Sequence, residues 1–484
     1  MTVSNGPSGP VLLQHNPRFD LLRVPGLGKL LRWRWGRLVF QVPLLLLALL
    51  MIYDGLTGPQ LAPQNISTVA AWVHYRGFVI LALLLVGNLF CMACPFTLPR
   101  TVARKLSGRG RRWPRALRHK WMAILLLLAL FWLYEWLDLW ASPWLTAWLA
   151  IAYFVAAFVL EALFSGSPFC KYLCPLGTFN FVSSTVSPLQ ITARNREICR
   201  SCVGRECVSG SPQVLGCGTD LFVPQVNSNM DCIFCLDCAR ACPHDNVALA
   251  SRPPLHELVC HAWPRRWDMA FLAFVFAFAS VSNAFGMIPP VYELEARLAQ
   301  WLGTSNEALI LGLIFGVLNL LLPAVLGLTA AWLSRGLAKN DGEPLRVVFS
   351  RYAPALIPLA FAIWFAHYGF HFVTGALTII PVAQGFLIDH GILLLGAEPN
   401  WLLGPVLPAE WLLPLQIIAV LIGFAGSLYV TTRLANRAGG SVAMARRAVL
   451  PWIVLLLGLA LAAISVFSEP MEMRGTIELM ALGV

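Results

Sequence analysis

Charge is scarce in this chain, and acidic charge scarcest: 12% of 484 residues are charged, with 24 Asp and Glu set against 35 Lys and Arg. A soluble globular chain carries about 25% charged residues. That shortage excludes a free-standing soluble protein, and 58% hydrophobic residues point to an integral membrane protein instead. Cysteine is missing outside residues 91–260, where all thirteen lie. Long polar stretches are missing as well, the one sizeable soluble segment being 166–267. A cleavable signal peptide is not expected, since the Arg-rich stretch up to Arg37 runs directly into a full-length apolar helix. With no effector domain visible, a redox-sensing regulator ranks last among the functional classes.

What is present sets the fold class. Apolar runs of spanning length, about 17–25 residues, occur near 38–54, 71–90, 121–140, 144–165, 268–288, 308–333, 352–374, 411–432 and 449–468. They predict an all-α polytopic membrane protein with about nine transmembrane helices. A further apolar piece, 374–396, is broken by Pro381, Gly385, Asp389 and Gly391, so it is expected to lie re-entrant or along the interface. With the amino terminus cytoplasmic, only Arg76, Arg297 and Arg474 among the basic residues fall outside, which fits retention of cations on the inner face. The net charge of +11 is then mostly a topology signal with anionic-lipid contact. Nucleic acid is a poor partner for cations lying against a bilayer. The expected organisation is a cytoplasmic basic tail (1–37), four membrane helices (38–165), a cytoplasmic insert (166–267), five membrane helices (268–468) and a short periplasmic tail (469–484).

Clustered cysteines in a reducing compartment are more often metal ligands than disulfides. In the insert, Cys232, Cys235, Cys238 and Cys242 followed by Pro243 match the bacterial ferredoxin run C-x2-C-x2-C-x3-C-P. Zinc sites usually offer two separated pairs instead. Upstream, Cys199, Cys202, Cys207 and Cys217 form a stretched version. In the crossed ferredoxin pattern, Cys199, Cys202 and Cys207 with Cys242 hold one [4Fe-4S] cluster, and Cys232, Cys235 and Cys238 with Cys217 hold a second. A loop-rich piece this small needs such cofactors for stability. The expectation is a ferredoxin-like insert with two [4Fe-4S] clusters.

Helix two ends in LFCMACPF and helix four in PFCKYLCPLG, so each of two hairpins finishes at the inner face with paired cysteines and a proline: Cys91, Cys94, Pro95 and Cys170, Cys174, Pro175. A shared third metal centre, a redox-active dithiol and passive packing all remain open for these four. Over about residues 38–260, the paired Cys-Pro motifs followed by a two-cluster insert resemble membrane-bound polyferredoxins of the NapH/NosR/CcoG type. The resemblance implies a bacterial cytoplasmic membrane and one-electron traffic between quinone and a soluble redox partner or the subunits of an oxidoreductase complex. It also implies a redox role for Cys170 and Cys174, from whose C-x3-C-P spacing Cys91 and Cys94 depart by one residue. Reduction of quinone by a low-potential donor is the downhill direction. A maturation factor that reduces a metal or a cysteine during assembly of a respiratory enzyme is the alternative. Neither the amino-terminal flavin domain of NosR-like proteins nor the carboxy-terminal immunoglobulin-like domain of CcoG-like ones is visible here.

The second half has no counterpart in that family. His367 and His371 are four apart on one helical face, near the outer leaflet. His74 with Arg76, Glu135 with Asp138, and Asp389 with His390 are expected at similar depth. Polar groups there are costly and often functional. His74, Arg76, His367, His371 and His390 are thus candidates for a quinone site or for b-haem ligands, against a plain role in headgroup hydrogen bonding. Asn319 and Gln416 are expected to bond helix to helix.

Overall fold

The computed structural model describes residues 19–99, 102–103, 110–260, 263–264, 266–340, 342–438 and 441–471. Arg474 and the outer parts of both tails lie outside the described residues. The helices are α1 Gly36–Thr57, α2 Ile66–Val86, α3 Trp121–Trp136, α4 Pro143–Leu163, α5 Trp267–Phe285, α6 Glu307–Leu337, α7 Leu345–Gly375, α8 Ala409–Arg437 and α9 Val442–Ser468. All but α3 are long and apolar enough to cross a membrane, which makes the chain an all-α, multi-pass membrane protein. The sixteen residues of α3 reach about 24 Å, short of a hydrocarbon core of about 30 Å. It nevertheless joins the same two ends of the bundle as its neighbours. At one end the Lys120 N–H donates to Asp268 Oδ2 (2.7 Å) at the start of α5, and the Lys120 ammonium pairs with Asp231 of the insert (2.5 Å). At the other, Thr146 Oγ1 of α4 donates to the Leu139 carbonyl (2.7 Å).

Helix α2 departs most from its apolar pattern. It starts at Ile66, five residues early, because Asn65 caps it: Asn65 Oδ1 accepts from Ser67 N–H (2.8 Å), and Asp54 Oδ2 accepts from Ile66 N–H (2.7 Å). It ends at Val86, where Gly87 takes φ +63° and turns the chain, so Cys91 rides on a separate short helix, Leu89–Ala93. The expected outer-loop position of Arg76 is therefore corrected. Ten residues in from the start of α2, it sits about 15 Å deep, and it is only 8% exposed. Likewise α4 stops at Leu163, and β2 (Phe164–Ser165) pairs in parallel with β1 (Arg111–Arg112) of the basic loop. The broken apolar piece forms the short helix Ile379–Asp389, whose Val382 packs on Ile66, Val69 and Ala70 at the end of α2 opposite the insert.

The insert is built on an antiparallel pair, β3 (Leu189–Ala193) with β4 (Val247–Ser251). The amino-terminal tail joins this sheet: Asp20 bridges to Ala250, its carboxylate pairs with Arg194 (2.8 Å), and Leu22 and Leu31 are fully buried against the insert. The tail and the insert thus occupy one end of the bundle. A buried polar junction fastens that end to the helices. Arg252 (1% exposed) donates to Glu257 (0%) at 2.6 Å and to the carbonyls of Ser184, Thr185 and Ser187. Glu257 also accepts from Ser228 and from the Asn229 N–H. In the carboxy-terminal half, aromatic packing of Phe274 on Phe349 and of Tyr352 on Trp452 fills the core. Asn319 accepts from Ser282 (2.8 Å), and Gln416 donates to the Ala366 carbonyl (3.5 Å), the interhelical roles expected of both.

Glu257→Ala leaves the Arg252 charge buried and unpaired, which costs about 3–5 kcal/mol. A pronounced fall in unfolding midpoint of the detergent-solubilised protein is expected, whereas Arg297→Ala at the exposed pair with Glu293 should change stability by less than about 0.5 kcal/mol.

Candidate functional site

The cysteines gather into three quartets. Cys199, Cys202, Cys207 and Cys242 line one cavity of the insert, walled by Ile198, Phe222, Val223 and Val247. Asn195 caps the short helix Arg196–Ser201 that carries Cys199. Asn246 donates through Nδ2 to Cys199 Sγ (3.2 Å) and through its N–H to Cys242 Sγ (3.5 Å), while Cys202 reaches Glu206 Oε2 at 3.4 Å. Burial pushes the Cys199 and Cys207 thiols up, and each is raised further by other members of this quartet.

Cys217, Cys232, Cys235 and Cys238 form the second quartet, 5–9% exposed. Burial pushes the Cys232 and Cys238 thiols well up, with Cys217 and Cys235 adding repulsion at both. The backbone wraps tightly here: Asp231, Phe234 and Leu236 take φ of +64°, +49° and +61°. Left-handed non-glycine residues are strained and persist only where their surroundings over-determine them. Their alternation with Cys232, Cys235 and Cys238 turns three sulfurs to one side. The groupings are the crossed ones, with Cys242 and Cys217 each joining the other run.

The third quartet lies where the two Cys-Pro motifs meet. Cys91, Cys94, Cys170 and Cys174 line one end of a cavity of about 640 Å³ that opens among α1, α2 and α4. Cys170 and Cys174 are held by the π-helical turn Phe169–Leu173 and the helix beginning at Pro175. Cys174 Sγ accepts from Gly177 N–H (3.1 Å) and Cys91 Sγ from Asn180 Nδ2 (3.2 Å). Burial pushes the Cys91 thiol up to about 12 and the Cys94 thiol up to about 11. A dithiol needs a thiolate to react, and these surroundings oppose one. Disulfide exchange is therefore disfavoured at this quartet.

The quartets follow one another. The Cys91 thiol lies near enough to raise that of Cys232, and Asn88 between them donates to the Cys232 carbonyl (2.8 Å) and faces Cys91 Sγ at 3.9 Å. The Cys217 N–H donates to the Cys207 carbonyl (2.9 Å), linking second to first. Among the described residues, no three His, Cys, Asp or Glu side chains close in tightly enough for a single metal ion. Each quartet still supplies four thiols, the donor set an iron–sulfur centre takes. Cys260 stands apart, 3.5 Å from His256 Nδ1.

The five candidates for quinone or haem divide. His74 lines the large cavity, its Nδ1 near the Val69 carbonyl (3.1 Å) and its Nε2 near the Ala376 carbonyl (3.0 Å). It belongs to a π-helical segment, Val69–Tyr75, a distortion frequent at functional sites. Arg76 borders a smaller cavity of about 60 Å³ that shares Trp72, Tyr75, Leu176 and Asn180 with the large one. His367 and His371 are buried behind it on α7. His390 is exposed at the outer end, bonded to Tyr53 (3.0 Å), away from the other four. Sequence reasoning missed Tyr75, Tyr153 and Asn180, which line the large cavity along with Trp72, Thr97 and Thr146. Only Asn180, three residues past Gly177 and five past Pro175, carried a local signal.

If the insert binds two clusters, Cys199→Ala with Cys242→Ala should remove the iron–sulfur EPR signal of the first quartet and leave that of the second, whereas Cys199→Ala with Cys217→Ala should remove both of these; iron and sulfide content checks the same partition. Compared with family models, curated proteins and solved structures, the chain matches none, so its site is read from its own geometry.

Proposed function

We propose that the chain is a membrane electron conduit between quinone and a soluble redox partner. The carrying observation is the succession of three thiol quartets from the wall of an apolar cavity inside the bundle to the outer side of the insert. The cavity has the volume of a small-molecule site, about 300–1,000 Å³, and an almost wholly apolar lining broken by a few polar groups. That suits an isoprenoid quinone, with its ring toward the cysteines and its tail toward His74. Iron–sulfur clusters, when bound, supply one-electron carriers with tunable potentials. The residues of the chain hold the sulfurs in place, aim N–H donors at them and keep water from the third quartet. The β3–β4 pair, with short helices between its strands that carry Cys199, Cys207 and Cys238, supports a ferredoxin-like reading of the insert. The clustering of Lys and Arg around that end supports a cytoplasmic insert and tail in a bacterial inner membrane.

Protein purified anaerobically in detergent and reduced with dithionite, then freed of excess reductant, should lose its cluster EPR signal rapidly and saturably on mixing with duroquinone. Cys174→Ser should slow that reoxidation by at least about tenfold while leaving reoxidation by ferricyanide, which can act at the insert, unchanged. A signal that persists with quinone in the unmodified protein defeats this reading and favours maturation of a respiratory enzyme.

A further inference from the structure

Arg76, His367 and His371 lie near the middle and outer half of the bundle, where each polar group is costly. The Arg76 guanidinium is enclosed by the rings of Tyr134, Trp72 and Tyr368 at 4.5, 4.7 and 5.1 Å and donates to Tyr134 Oη (3.3 Å). Glu135, 3% exposed, is within electrostatic reach of it. The Glu135 carboxylate packs against Gly286, just past the end of α5, where an added Cβ would meet Oε1 at 2.9 Å. One turn further, Asp138 stands at φ +44° in the loop between α3 and α4.

Behind Arg76, the His367 and His371 rings lie 4.8 Å apart. His367 is fully buried, and among the described residues neither of its ring nitrogens has a protein hydrogen-bond partner; His371, 8% exposed, leaves Nε2 without one. Phenylalanine would fill the same space at no polar cost. Buried polar groups that the protein does not satisfy are satisfied by ordered water. The small cavity at Arg76, lined by Tyr134 and Tyr368, is large enough to hold water, and it adjoins the large cavity through Trp72, Tyr75 and Asn180.

We infer that Arg76, Tyr134, Glu135, His367 and His371 form a hydrated proton relay joining the ring end of the quinone cavity to the face opposite the insert. The inference rests on the quinone reading above. Reduction of a quinone takes two electrons and two protons, each oxygen gaining one O–H bond, and the cysteine quartets carry only the electrons. The protons enter by the loop at Asp138, pass the Glu135 carboxylate beside Tyr134, and reach the quinone oxygens through water in the small cavity that Tyr134, Arg76 and Tyr368 line. Arg76 holds the Glu135 carboxylate by its charge, and the α7 imidazoles flank the route beside Tyr368. In the reverse direction, quinol loses two protons along the same route as its electrons enter the quartets.

The test uses the full-length, iron-loaded protein, reduced with dithionite and mixed with duroquinone. Glu135→Gln and His371→Gln should each slow reoxidation by about tenfold or more, with ferricyanide reoxidation and iron content unchanged. Formate, a small permeant acid, should restore part of the Glu135→Gln rate, which a purely structural role would not allow. In vesicles with the insert outward, a lumenal pH dye should report alkalinisation as quinone is reduced. Variants as fast as the unmodified protein, or alkalinisation outside only, would overturn the relay while leaving the conduit standing. Unmodified protein that ignores duroquinone removes the conduit and the relay together. Should Glu135→Gln fail to fold, His371→Gln and the dye decide the matter.

Discussion

The side-chain amide of Asn88 donates to the Cys232 carbonyl at 2.8 Å and to Ser184 Oγ at 3.1 Å, and much of the structure depends on where that amide sits. It is fully buried just past the glycine that ends α2. It fixes the run holding the second quartet against the short helix bearing Cys91. Asn229 completes the junction by donating to the carbonyls of Ser184 and Leu189. An apolar contact here would allow sliding; a set of directional bonds in a dry interior does not. One-electron transfer between centres depends steeply on separation, so a rigid seam between soluble insert and membrane bundle is what the proposed function needs.

The same seam answers a difficulty of placement. Polar residues at the end of the bundle opposite the insert and cysteines at the insert end would be too far apart to act together. The early start of α2 carries His74 and Arg76 inward, and the large cavity runs from His74 down to the third quartet. A long, narrow, apolar ligand can touch both ends at once. The histidines on α7 then stand beside the cavity rather than in it.

What could be read from the residues alone was what local spacing dictates. The multi-pass helical character follows from apolar runs, whereas the crossed grouping of Cys217 and Cys242 was expected from the likeness to the ferredoxin run, since spacing alone would keep Cys242 with Cys238. Helix ends were less legible. The start at Ile66 is written in Asn65, a capping residue followed by a polar pair, but the apolar run conceals it. The break at Gly87 needs a left-handed residue that the run does not announce. The cavity was not legible at all, because it exists only where faces of α1, α2 and α4 fail to fill the space between them. Nor did spacing separate His390, which belongs to the outer end with Tyr53, from the histidines of α7.

The bridge of the amino-terminal tail to β4 has a consequence for biosynthesis. Leu249 donates to an Asp20 carboxylate 229 residues earlier, and Arg194 takes the other oxygen of that carboxylate. The tail cannot find these partners until the first four helices have been inserted and the whole insert has left the ribosome. Until then the strand edge of β4 is uncovered, and the cysteine loops of the insert stay unsealed. Closure of the tail is therefore the last step in the folding of this half of the protein, a latch that shuts only over a finished insert.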